Sequence, residues 1–148
     1  MSKHIALLCS CALLLSLSSA AQNSNSKEKT ASGAVAPIIL SGLQAYYDGG
    51  ADAAVRAWIK NGGLDGSKDA LSQANNLRKI EDYYGKYRNF EVVKVRNLSP
   101  KTQIACLVLE YEKGPVFAKF IAYRTEQGWV VDYFDFNTKE QPFFSNCD

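Results

Sequence analysis

The spacing of the apolar residues changes once along the chain, and that change constrains the fold more than any other feature. Between Pro37 and Tyr87 apolar residues recur at steps of three and four; from Phe90 onward they recur mainly at steps of two. The first spacing places side chains on one face of a helix, and the second on one face of a strand. Helices followed by a run of strands imply an α+β domain, with the helices packed against one face of an antiparallel sheet.

The helical part divides at its glycines. Ile39, Leu43, Tyr46 and Tyr47 share one helical face, and Pro37 suits a first turn. Asp48-Gly49-Gly50 then reads as a break. Ala54, Val55, Trp58 and Ile59 form a second apolar face, closed by Asn61-Gly62-Gly63. Ser67 caps a third helix, with Asp69 in the first turn where the helix dipole favours an acid. Its buried stripe is Ala70, Ala74, Leu77, Ile80, Tyr84 and Tyr87, with an end near Gly85.

Strands are predicted over 90–97, 102–113, 116–125 and 129–137, joined by short connectors rich in turn residues and therefore paired antiparallel in order. In the last of these, Trp129, Val131, Phe134 and Phe136 step by two, three and two, which predicts a bulge near Asp132-Tyr133. The expected fold is three N-terminal helices wrapped on a curved four-stranded antiparallel sheet, a cone-like roll. Both faces of the third strand are apolar: Val116, Ala118, Phe120 and Ala122 alternate with Phe117, Ile121 and Tyr123. Helices can cover only one of them, so a homodimer across a two-fold axis is expected to bury the other.

Residues 1–21 read as a removable signal peptide of bacterial type. Lys3 gives the positive start, 5–17 is apolar or small, and Ser19-Ala20-Ala21 supplies small residues at the cleavage site. The apolar run falls short of the roughly 20 residues that cross a bilayer, and no later stretch matches it, so the product is not expected to be an integral membrane protein. It is expected in the periplasm or secreted. Residues 22–34 form a polar linker with too few apolar side chains to order themselves, and 35–148 form a single domain with a short C-terminal tail.

Charge and composition exclude several functions. The 17 basic and 15 acidic residues nearly cancel, which argues against nucleic acid as a partner. The single histidine, His4, lies in the leader, so the processed chain lacks Ser-His-Asp or Cys-His catalysis and the commonest metal ligand. No metal site and no cofactor are predicted. The glycine pairs at 49–50 and 62–63 follow no strand and precede no Lys-Ser, so they punctuate helices and do not cradle phosphate.

Tyr46-Tyr47-Asp48-Gly49-Gly50-Ala51-Asp52, leading into 53–58, resembles the aromatic helix end, glycine-acid link and second helix of the nuclear transport factor 2-like superfamily, the cystatin-like α+β roll. Gly128-Trp129-Val130-Val131 with Phe134-Asp135-Phe136-Asn137 is similar to its final strand. More narrowly, the chain resembles a small secreted bacterial group of unassigned activity. The resemblance covers about 35–137 and implies the roll, but it hosts enzymes, binding modules and oligomerisation domains alike. Its polyketide cyclase and dehydratase branches rely on His–Asp pairs, which this chain lacks. The ketosteroid isomerase branch uses an acid with tyrosine, and no motif here carries those roles to particular positions.

The processed chain holds seven Phe, eight Tyr and two Trp. Tyr47, Trp58, Tyr84, Tyr111, Tyr123 and Phe134 are the candidates to line the mouth of the roll and hold a small apolar ligand. The favoured reading is therefore an exported non-enzymatic module that binds such a ligand or an envelope partner. An alternative is an isomerase or dehydratase using Asp132 with Tyr123 and Tyr133; another is a structural dimerisation domain with a filled interior. An empty apolar cone supports binding, a buried carboxylate facing a tyrosine supports catalysis, and a filled cone supports the structural reading.

Cys106 and Cys147 are the cysteines left after cleavage. An exported pair permits one intramolecular bridge, with Phe143 and Phe144 folding back over the sheet. A mid-strand cysteine in the apolar run 104–109 also behaves as a small buried hydrophobe, which favours two free thiols over the bridge.

Overall fold

A computed structural model describes residues 34–140 and Cys147. Helix α1 runs Pro37–Ile59 and α2 Lys68–Tyr84; strands β1 Tyr87–Ser99, β2 Thr102–Tyr111, β3 Gly114–Thr125 and β4 Gly128–Asn137 follow. The strands form one antiparallel sheet in the order β1-β2-β3-β4, with a two-residue turn at each hairpin. The expected leader and all but the last residue of the expected linker lie outside the described residues, as do Phe143 and Phe144.

Two helices, not three, precede the sheet. The segments expected as separate first and second helices belong to α1, which kinks at Gly50 (φ 74°, ψ −170°). Glycine adopts this left-handed conformation without the Cβ penalty of other residues. Beyond the kink Ala51, Ala54, Val55, Trp58 and Ile59 are buried, so the glycine pair redirects the apolar face instead of ending it. At the start of α1 the backbone N–H of Ala36 donates to Gln103 Oε1 at 2.7 Å, tying the helix to β2. Ser67 caps α2 by accepting from the Ala70 N–H at 3.1 Å. Tyr87, expected on the stripe of that helix, is instead the first residue of β1.

The helices cover one sheet face. Ala105, Leu107 and Leu109 of β2, Val116, Ala118, Phe120 and Ala122 of β3, and Val131 and Phe134 of β4 meet Ile39, Leu43, Val55 and Trp58 of α1 and Ala70, Ala74 and Leu77 of α2. Trp58 sits at the centre, fully buried, with ring centroids 5.0 Å from Phe120 and 5.7 Å from both Phe134 and Phe136. Its indole N–H donates to the Ile39 carbonyl at 3.0 Å. The ring lies so close to α1 that a Cβ on Gly42 would fall 1.9 Å from Trp58 Nε1. Trp58 and its phenylalanine neighbours thus occupy the space between helices and sheet.

On the opposite face Ile104, Cys106, Phe117 and Ile121 cluster with Cys147. Cys106 and Cys147 are disulfide-bonded, with Cα atoms 6.3 Å apart, so the favoured expectation of two free thiols is corrected. Cys106 belongs to this outer cluster and not to the helix-covered core, and Cys147 comes back onto β2 from beyond the final strand. In β4 the pairing passes from Ile121–Tyr133 to Ala122–Val131, leaving Asp132 as the extra residue of the expected bulge. β1 carries three further register shifts, one of them between Val92 and Lys94.

Candidate functional site

Three tyrosines meet where the kink of α1, the end of α2 and the β2–β3 turn come together. Tyr46 stands on the last turns of α1 before Gly50, and Tyr87 and Tyr111 face each other across the β1–β2 pair. The rings of Tyr46 and Tyr87 stack at 4.5 Å with an interplanar angle of 5°, and Tyr111 meets both edge-on. The hydroxyls of Tyr46 and Tyr111 are 2.8 Å apart and share a hydrogen bond. Glu81 on α2 lies near enough to the Tyr46 hydroxyl for the two to act on each other electrostatically. Either hydroxyl of the Tyr46–Tyr111 pair can be the donor.

Burial dominates the electrostatics of this group. It pushes the Tyr46 and Tyr111 hydroxyls well above the ordinary phenol range, and that of Tyr87 up to about 12. Glu81 is also raised, chiefly by desolvation, although the Tyr46 hydroxyl favours its charged form. Glu112 moves the other way. The Lys86 backbone N–H, 3.2 Å from its Oε2, and the Arg88 guanidinium beside it hold its carboxyl below the usual range. One cluster therefore holds a carboxyl that favours its proton and one that releases it.

An open cleft of about 410 Å³ lies over this cluster, walled by Tyr46, Tyr47, Glu81, Lys86, Tyr87 and Glu112. Tyr47 stands on its rim, 64 % exposed. Gly50, Asp82 and Gly85 complete the wall. Such a cleft offers aromatic faces, hydroxyls, carboxylates and one ammonium to a small molecule.

The six aromatic candidates do not gather around one cavity. Tyr47 lines this cleft, and Tyr111 lies beneath it as a buried partner of Tyr46 in the hydroxyl pair. Trp58 and Phe134 are core residues, Tyr84 lies against Gly114, and Tyr123 is exposed on β3 opposite Thr102 and Val130. Asp132 is exposed at its bulge, beside a smaller pocket of about 190 Å³ that it lines with Leu64, Asp69, Gln73, Tyr133 and others; Tyr123 is not among them. Among the described residues no three His, Cys, Asp or Glu side chains gather as a metal site.

Sequence reasoning missed Tyr46, Tyr87, Glu81 and Glu112 as site residues. For Glu81 a signal exists. It lies four residues after Leu77 and three before Tyr84, so the helical period places a carboxylate on the buried stripe.

No protein family matches the chain, and no curated protein matches it. Among solved structures it is similar to a domain of unknown function with a cystatin-like fold from Nostoc punctiforme. The two are 16 % identical, the match covers 74 % of this chain and 76 % of that one, and the TM-score is 0.43.

Proposed function

We propose that this chain is an exported, non-enzymatic module of nuclear transport factor 2-like type that holds a small amphipathic molecule in the cleft beside Tyr46 and Tyr47. The observation that carries this reading is the cleft itself, about 410 Å³ of open space against a stacked tyrosine wall with polar groups at its floor. Trp58 and the phenylalanines fill the interior, which favours the structural reading over a ligand inside the roll, so the binding reading rests on this outer recess alone. The Cys106–Cys147 bridge supports export, since such bonds persist in oxidising compartments. Native mass spectrometry of chain purified from the periplasm tests the reading. A retained small mass that disappears in Tyr47→Ala supports it, and bare chain in every preparation counts against it.

A second reading is acid–base catalysis, now centred on Glu81 and Tyr46 in place of Asp132. A carboxyl whose affinity for its proton is raised by burial, beside a buried tyrosine, is the arrangement such chemistry uses. Deuterium exchange into small carbonyl compounds, catalysed by the native chain and abolished in Glu81→Gln, supports this reading over simple binding.

A further inference from the structure

The strand at the start of the sheet is an edge with an unusual composition. β1 is 13 residues long and, among the described residues, pairs only with β2. Val92 and Val93, at its middle, are 40 % and 43 % exposed. Natural edges are blunted by charge, bulges or cover, because open backbone groups invite a further strand. β1 carries a bulge, and it falls at these two valines: Val92 pairs with Leu107, Lys94 with Cys106, and Val93 is the extra residue.

That bulge changes which residues share a face. Opposed residues in an antiparallel pair lie on the same side of the sheet. Before the bulge Phe90 and Val92 pair with Leu109 and Leu107 and so face the helices, while Asn89 and Glu91 face away. After it the order inverts: Val95 pairs with Ala105 and faces the helices, while Lys94 and Arg96 pair with the outward Cys106 and Ile104.

We propose that β1 pairs antiparallel with β1 of a second copy, about a two-fold axis passing between Val92 and Val93, so that two sheets become one. In this register Val92 lies opposite Val93 of the second copy, Glu91 opposite Lys94, Phe90 opposite Val95 and Asn89 opposite Arg96. Each flanking pair matches in face, Glu91 and Lys94 outward and Phe90 with Val95 toward the helices. A strictly alternating strand in the same register would set every inward residue against an outward one. The bulge therefore disfavours foreign strands and suits a copy that carries the same bulge. Charge matches as well. The axis sets Glu91 against Lys94 twice, and the ammonium, with three donors, serves this carboxylate beside any neighbour in its own chain. The other edge, β4, presents exposed Asp132 and Asp135 and has no basic residue to set against them in a self-pairing. This surface is independent of the ligand reading and distinct from the outer sheet face, part of which Cys147 occupies.

Sedimentation equilibrium of the processed, oxidised chain at micromolar concentration tests the proposal. The chain is expected to be a dimer. Glu91→Lys and Lys94→Glu should each weaken the dimer roughly tenfold, because like charges then oppose each other at both symmetry-related positions. The double variant E91K/K94E should restore it. Val93→Lys, an exposed bulge substitution checked for folding by circular dichroism, should give monomer. A monomeric native chain overturns the proposal, as does a double variant as weak as the singles. A dimer that withstands these changes but dissociates on Ile121→Lys places the contact on the outer face and overturns it equally.

Discussion

Replacing Gly42 with alanine sets two effects of opposite sign against each other. Alanine in a helix interior is favoured over glycine by about 1 kcal/mol, so propensity alone predicts a more stable chain. The structure predicts the reverse. The added methyl would lie 1.9, 2.1 and 2.5 Å from three atoms of the Trp58 indole, all far inside van der Waals contact. Trp58 cannot swing outward, being fully buried among Phe120, Phe134 and Phe136 and bonded to the Ile39 carbonyl. Overpacking of this kind costs about 1–3 kcal/mol, and displacing the indole from its carbonyl adds about 1–3 kcal/mol. Subtracting the propensity gain leaves a net loss of about 1–5 kcal/mol, or a fall in Tm of roughly 4–20 °C for a domain of this size. Urea unfolding of Gly42→Ala and native chain measures it, with Gly63→Ala, where a Cβ meets nothing within 4 Å, as the control. A Gly42→Ala chain as stable as the native one refutes the packing described for Trp58.

The disulfide makes a simpler prediction: Cys147→Ser should lower stability by roughly 3–4 kcal/mol, and the unfolded, unreduced processed chain, without Cys9 and Cys11, should titrate no thiols. Glu81→Gln should gain stability relative to native chain as pH rises. Its carboxyl holds its proton more tightly in the fold than when unfolded, so the penalty is absent below the ordinary value of 4.5 and grows as pH climbs through the raised one. Urea midpoints taken on both sides of that range check it, and a gap independent of pH refutes it. Ser67→Ala should cost about 1 kcal/mol in thermal unfolding through loss of the cap on α2.

Local pattern foretold the sheet more fully than the helices or the site. The alternation of 116–123 and the extra step before Phe134 foretold a meander and its bulge, because strand pairing through two-residue turns is settled by near neighbours. At Gly50 the same local rules misled. A glycine pair ends a helix when nothing beyond it needs burial, and here Ala54, Val55 and Trp58 carry the apolar face onward. Cys147 was beyond such reasoning, since its approach to Cys106 depends on the path of the chain after β4. The tyrosine cluster depends on three elements meeting. Tyr46, Tyr87 and Tyr111 are scattered in sequence, and the one available signal, the spacing of Glu81 on the buried stripe of α2, went unread.

The strand order also bears on how the chain reaches its folded state. Every strand pairs with its neighbour in sequence, so the sheet can zip hairpin by hairpin with small entropic cost at each closure. Helix α1 packs on its neighbour α2, but it reaches the sheet by no such route. Its anchors, Ala36 to Gln103 and Tyr46 to Tyr111, span separations of 67 and 65 residues. They can form only once β2 has taken its place in the meander. Docking of the first helix on the sheet is therefore expected late in folding, with its amides gaining protection from hydrogen exchange after those of the strands that follow it.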